Sequence, residues 1–307
     1  MAHPVSSLPA AEGAVVFGGI NMDIWGRPAQ SLLARDSNPG TVTMRPGGVG
    51  RNIAHNLRLL GLEVSLVAPI GGDVYASAVV DSCQALGIDL GYAPAFKDMR
   101  SSTYLYITDE TGDMELAISD MELCSALTPE LVAPILPRLR ASAVVVDANL
   151  PAETIAYICG NSPCPVYADP VSTVKAMKLQ PVLHHLAAIK PNALEAQCLT
   201  GESDPERAAL ALVERGVRRV FISLGAQGMI AADEKQLLRL PGLPTRVINA
   251  TGAGDAATAA IVLAGIRGMG LEETALLAQK AGAVTCCSES ANAPELAGIL
   301  TQIHFDG

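Results

Sequence analysis

The chain is 307 residues long, half hydrophobic and 17% charged, with a formal net charge of −10. That length suits one large α/β domain or two modest ones. The acidic balance excludes a nucleic-acid binder that works by bulk basic charge, and an acidic protein that handles an anion must neutralise it locally, with backbone amides, a helix end or a metal.

Residues 1–12 lack an apolar core of signal-peptide length and read as a flexible tail ahead of one domain over 13–307. The first strand is expected over 14–20 (AVVFGGI), with Asn21 and Asp23 at its end, where both residues favour turns. GTVTMR (40–45) alternates like a strand and leads into RPGGVGRN (45–52), a flexible run directly before a helix over 50–61. A strand at 64–70 and a helix at 74–86 follow. The segment 102–119 reads as strand, turn, strand, with Asp-Glu-Thr-Gly as the turn. From there helices (128–139, 151–160, 192–200, 205–216) alternate with short apolar strands (143–148, 165–169, 187–190, 218–224). Beyond residue 250 the pattern is almost wholly helical. Near-continuous apolar strands followed by helices predict a parallel sheet covered on both faces. The pieces at 40–45 and 102–119 have no crossover helix, which predicts a small antiparallel sheet projecting from that core.

Seven scattered cysteines without a CxxC pair argue against a disulfide framework and a structural zinc site, and for free thiols in a reducing cytoplasm. No run approaches the ~20 apolar residues of a membrane span. Neither a membrane nor nucleic acid is an expected partner. His55, His184 and His185 have no ligand or triad spacing to a partner and read as structural or solvated. Lys190, before Pro191 at a strand end, also reads as structural.

Two glycine clusters stand far apart. RPGGVGRN lacks the G-x-G-x-x-G spacing of a dinucleotide fingerprint, and no glycine in the chain is followed by lysine, so a P-loop is absent. In NATGAGD (249–255), Gly252, Ala253 and Gly254 open an alanine-rich helix with Asp255 in its first turn. Small residues at a helix start let an anion reach unpaired amides, although an acidic residue there is also common for dipole reasons alone.

Together, GGVGRNIAHNLRLLGLEVSLVAPIG and NATGAGD resemble the two signatures of the ribokinase-like (PfkB) carbohydrate kinase family. The first matches at Gly47, Gly48, Gly50, Asn52, Ala54, Gly61 and Gly71, and the second over 251–255, departing at Ala250. NMD (21–23), KPNALE (190–195) and SLGAQG (223–228) fall in family order. SNPG (37–40), ISDM (118–121) and DPVS (169–172) resemble one branch of that family, the pseudouridine kinases.

The resemblance implies a ribokinase-like three-layer α/β sandwich with a mostly parallel sheet and a small antiparallel β-lid from segments 38–46 and 99–119. It implies ATP-dependent phosphorylation of the 5′-hydroxyl of pseudouridine. Asp255 would be the base, and Gly252, Ala253 and Gly254 the anion hole. Asn21, Asp23, Gly47, Gly48, Asn52 and Asn149 would hold the nucleoside. Thr251, Asn192, Ser223, Gly225, Gly228 and Asn292 would hold the nucleotide, with Glu195 toward Mg²⁺. Asn38, Thr103, Ser119 and Asn149 are the neutral candidates for reading the base. A monovalent cation is possible near Asn249, where the family commonly has Asp. Pairing of lids implies a homodimer. The same motifs leave open another nucleoside or sugar (ribose, fructose, adenosine), or a non-catalytic ligand-binding regulator of the same fold.

Overall fold

The computed structural model describes residues 13–302; the expected tail, 1–12, lies outside the described residues, as do 303–307. The chain begins with β1 (Gly13–Phe17) and runs without a helix into β2 (Asn21–Pro28) and β3 (Gly40–Gly47). It continues through α1 (Val49–Leu59), β4 (Glu63–Val67), α2 (Val74–Ala85), β5 (Thr103–Thr108), β6 (Met114–Asp120), α3 (Pro129–Val132), β7 (Ala143–Asp147) and α4 (Ala152–Asn161). Next come β8 (Val166–Asp169), α5 (Thr173–Ala176), β9 (Leu186–Ile189), α6 (Ala193–Thr200), α7 (Pro205–Glu214) and β10 (Arg219–Ser223). It closes with β11 (Met229–Asp233), β12 (Leu237–Leu240), α8 (Ala253–Ile266) and α9 (Leu271–Cys286).

Eight strands form the central sheet in the order β12-β11-β10-β9-β8-β7-β1-β4. The six from β10 to β4 run parallel, and β11 and β12 extend the edge in antiparallel fashion. Every residue of β1, β7 and β8 is buried, as expected where helices cover both faces. Alternation splits the strands between two cores. Ala14, Val16 and Val145 face α1, α8 and α9; Val15, Phe17, Val144 and Val146 face α4, α6 and α7. The result is three layers. Helix α8 is buried continuously from Ala256 to Ala264, because the sheet, α1 and α9 surround it.

Two expectations change. The helix over 128–139 is only α3 plus a 3₁₀ turn at Leu136–Arg138, because Pro134 and Pro137 remove helical donors. The hairpin β11–β12 was not expected; its tight turn is held by Asp233 Oδ1, which accepts from the amides of Lys235 and Gln236.

The first strand ends at Phe17, not at 20. There Gly18 and Gly19 lead the chain out of the sheet. A Cβ on Gly18 would collide with the Asp147 carboxylate, and that carboxylate accepts from Gly19 N and Asn149 N, each at 2.8 Å. Asn21 and Asp23 therefore open a strand rather than a turn. β2 lies inside a four-stranded lid of order β3-β2-β5-β6. Its outer pairings are antiparallel, while β2 and β5 run parallel. One lid face shows Val42, Met44, Leu105, Leu116 and Ile118 to solvent; the other holds Asp23, Trp25, Thr43, Arg45, Tyr104 and Tyr106.

Candidate active site

The two glycine clusters meet at the carboxyl ends of the parallel strands. Gly252, the residue before α8, has φ of 83°, and a Cβ on it would collide with the carbonyl of Ala291. Only glycine fits there, and no side chain caps the helix. The first-turn amides of α8 are thus left to whatever approaches, with the positive end of the helix dipole behind them. A Cβ on Gly254 would come within 3.3 Å of Lys190 Nζ, so this ammonium stands against the uncapped turn. Lys190 is buried at the end of β9, and its Nζ lies 3.8 Å from Asp169 Oδ2, beyond hydrogen-bonding range. Asp169 is itself aimed by Thr258 Oγ1, which donates to it at 2.7 Å. Its turn is strained: Val171, a β-branched residue, has φ of 65°, and its amide donates to Asp169 Oδ1 at 2.9 Å.

Asp255 projects from that first turn and accepts from Asn52 Nδ2 at 3.0 Å. Burial raises its pKa well above the usual carboxylate range, and the charge of Asp169 adds to this; the Asn52 hydrogen bond and Lys190 pull the other way. A carboxyl whose pKa is raised by its surroundings holds a proton more readily, as a general base must.

The flexible run before α1 has a mechanical explanation. In the β2–β3 ladder Asn21 faces Gly47 and Asp23 faces Arg45. A Cβ on Gly47 would collide with the Asp23 carboxylate, and one on Gly48, whose φ is 101°, would lie 2.9 Å from Asn21 Oδ1. The glycines let these two side chains lie on the backbone of β3. Asn21 Nδ2 donates to Asp23 Oδ1 at 2.6 Å. Burial raises the Asp23 pKa, opposed by that hydrogen bond and by Arg51. Asp23 and Asn52 line one cleft of about 290 Å³, near the low end of ligand-site volumes of ~300–1,000 Å³. Its other walls include Trp25, Arg45, Tyr106, Thr251 and Asn292.

Several sequence candidates have other duties. Asn292 lines the cleft, and its Nδ2 donates to Asn52 O at 3.1 Å and Asn56 Oδ1 at 2.9 Å, so its amide latches the 289–293 loop onto α1. Asn149 Oδ1 accepts from Lys175 Nζ at 2.6 Å, and Asn149 does not line the cleft. Asn38 binds Leu33 and Asp36 within its own loop. Thr103 pairs with Met22 and falls on the lid face opposite the cleft; Ser119 pairs with Tyr104 on the cleft face but is exposed and outside the lining. His55 lines the cleft with its pKa lowered to about 4 by burial and by Arg51, so it is neutral at neutral pH. The rings of His184 and His185 lie against each other, with centroids 4.1 Å apart and planes tilted by 40°.

Asn192 and Glu195 form a capping box on α6: Asn192 Oδ1 accepts from Glu195 N and Glu195 Oε2 accepts from Asn192 N, both at 2.9 Å. Ser223 bridges to Asn192, joining the end of β10 to this box. A Cβ on Gly228 would collide with the carbonyl of Leu240, so this glycine serves the β11–β12 edge, whereas Gly225 stands in open space. Among the described residues no three His, Cys, Asp or Glu side chains form a metal cage. Mg²⁺ commonly uses one or two carboxylates together with substrate phosphates, and Glu195 and Asp169, both close to Lys190, are the carboxylates placed to hold it. A monovalent cation fits poorly at Asn249. Its neutral amide is already engaged, accepting from Thr251 N at 2.9 Å and donating to Glu289 O at 3.2 Å.

The placement of Lys190 against the α8 turn is not visible in its local sequence, because it depends on Gly254, 64 positions away in a different element. Sequence reasoning also missed Trp25 and Tyr106, which become neighbours only when β2 pairs with β5.

An uncapped, glycine-lined helix start beside a carboxylate of raised pKa, at the end of a cleft under a β-lid, is an arrangement that suits phosphoryl transfer. The model of the pfkB family carbohydrate kinases matches residues 11–297. The chain belongs to that family. It is 34% identical to the pseudouridine kinase of Escherichia coli over 92% of this chain and 93% of that one. It is equally 34% identical to an uncharacterized sugar kinase of the same organism, YeiI, over 94% of this chain and 82% of that one. The solved ribokinase of Thermotoga maritima shares the fold, with a TM-score of 0.85 and 22% identity over 95% of this chain and all of that one (100%).

Asp255→Asn should lower phosphoryl transfer by ~10²–10⁴-fold. A raised folded-state pKa means that Asp255 costs stability in full above that pKa, and the cost shrinks as pH falls from there toward the ordinary carboxylate value, where it vanishes. The same variant should therefore raise the thermal midpoint of the unliganded protein at neutral pH, with the gain shrinking toward acid pH. Scanning calorimetry across pH checks this; an unchanged or lowered midpoint at neutral pH contradicts it. Asn52→Leu removes a bond that favours the ionised carboxylate, so the acid limb of kcat/KM should move to higher pH. A pH–rate profile measures the shift.

Proposed function

We propose that this chain is an ATP-dependent kinase that converts pseudouridine to pseudouridine 5′-phosphate. The observation that supports it most is Asp255, tuned upward in pKa, sharing a hydrogen bond with Asn52 at the mouth of the uncapped α8 turn. Asp23, Asn21 and Asn52 hold the ribose hydroxyls, with Gly47 and Gly48 letting the sugar approach. Asp255 takes the proton as the 5′-oxygen forms its bond to the γ-phosphorus. The bond to the bridging oxygen breaks, and ADP leaves. The α8 amides and Lys190 stabilise charge on the transferring group, a task that is mostly positioning and electrostatics. Mg²⁺, when bound near Glu195 and Asp169, would neutralise the phosphates. Thr251, Ser223 and Gly225 border the nucleotide's side of the site. The seven thiols, none of them disulfide-bonded, suit a reducing cytoplasm.

The base is supported by the relative of known substrate. The second reading is the same transfer to another nucleoside or sugar, such as ribose, fructose or adenosine, which the 34% identity to the uncharacterized sugar kinase YeiI favours. A non-catalytic regulator would have no use for a carboxylate held at a raised pKa beside an uncapped helix. The outward lid face, with Val42 73%, Leu116 58% and Ile118 59% exposed, is taken to pair with the lid of a second copy.

An ADP-release assay over pseudouridine, uridine, ribose, fructose and adenosine should give the highest kcat/KM for pseudouridine and little turnover of ribose. A preference for another compound would move the assignment to the second reading. Light scattering should report a dimer, and Leu116→Asp with Ile118→Asp a monomer; a monomeric parent would remove the lid-pairing proposal.

A further inference from the structure

The cleft face of the lid is organised in two parallel rows, set by strand register. In the first, Arg45, Asp23 and Tyr104 stand side by side across β3, β2 and β5; in the second, Thr43, Trp25 and Tyr106 do. Asp23 and Trp25 are successive residues on one face of β2, about 7 Å apart along the strand. The first row contains Asp23, the carboxylate assigned to the sugar. The second is flat and aromatic: the Trp25 and Tyr106 rings are 6.2 Å apart between centroids and 8° from parallel. Tyr104 adjoins Tyr106 at 5.6 Å. The chain has one tryptophan, six tyrosines and four phenylalanines, so placing the tryptophan and two tyrosines on one face of a small sheet is a strong concentration. None of the three is fully buried, and Trp25 and Tyr106 line the cleft. A hydrophobic core does not account for rings that face a cleft.

We infer that the Trp25–Tyr106 surface is the seat of a planar heterocycle, so that the lid selects a nucleoside over a bare sugar. This rests on the kinase reading of the same cleft and names the part of the substrate that reading leaves open. The sugar's hydroxyls are matched by the row of Asp23; one step further along β2 the wall offers π-faces, which stack with any nucleobase. Arg45 and Thr43 stand at the β3 edge of the platform, where a guanidinium and a hydroxyl can donate to ring carbonyls of a uracil-type base. Trp25 is oriented by its own indole N–H, which donates to Thr108 Oγ1 at 3.1 Å, leaving the ring plane fixed by β5.

Because Trp25 is the single tryptophan, its fluorescence reports on the platform alone. Titration of the full-length protein with pseudouridine should quench that emission, and titration with ribose should not. Tyr106→Leu should raise the nucleoside KM by about 5- to 100-fold, with kcat changed no more than a few-fold, and Tyr106→Phe should restore KM. No quench, together with an unchanged KM in a Tyr106→Leu protein of native circular dichroism, overturns the platform while leaving pseudouridine kinase activity standing. Should Tyr106→Leu not fold, the wild-type quench and the Tyr106→Phe KM decide the matter. Turnover of a different nucleoside with the same quench and KM loss upholds the platform and removes only the pseudouridine assignment. Turnover of free sugars alone, with Trp25 unresponsive, overturns both.

Discussion

The active site hangs on one hydrogen bond, from Asn52 Nδ2 to Asp255 Oδ2, which joins residues 203 positions apart. It ties the first turn of α1 to the first turn of α8, so the two glycine clusters share a seam. Other parts serve to keep those two turns in place. Arg51 and Asn292 brace the Asn52 side chain and backbone from behind; Thr258 and the strained turn at Val171 aim Asp169, whose charge raises the proton affinity of Asp255. A tuned carboxylate is expensive to bury, and that expense is why it is surrounded by so many oriented neighbours.

Close backbone approach is the second constraint. Gly18 lets the Asp147 carboxylate sit against the chain as it leaves β1; Gly47 does the same for Asp23, and Gly252 for the Ala291 carbonyl. Each glycine stands where two segments cross with no room for a β-carbon. A glycine-rich sequence here means interlocking rather than looseness.

Much of this was legible in the sequence, and the limits are physical. Parallel strands such as AVVVD were readable because burial on both faces leaves an uninterrupted apolar run. β2 was not, because Asn21, Asp23 and Gly26 are turn-prone residues whose strand conformation is imposed by β3 and β5 on either side. The alanine-rich β11 likewise owes its identity to its neighbours. In the site, Asp255, Asn52 and the two glycine clusters could be singled out because each lies in a local motif. Lys190, Trp25 and Tyr106 could not, since nothing near them in sequence says what they touch. Choosing base-reading candidates by polarity alone misplaced Asn38 and Thr103, one bound into its own loop and the other turned away by strand alternation.

The direct passage of β3 into α1 has a mechanical consequence. Gly47 ends the strand, α1 begins at Val49, and only Gly48 lies between, so the lid and the helix are one continuous lever with a single glycine as its elbow. The strand that carries the lid's edge and the helix turn that presents Asn52 are thus joined through one residue, and the packing that holds β3 also holds the donor of the Asp255 hydrogen bond in place.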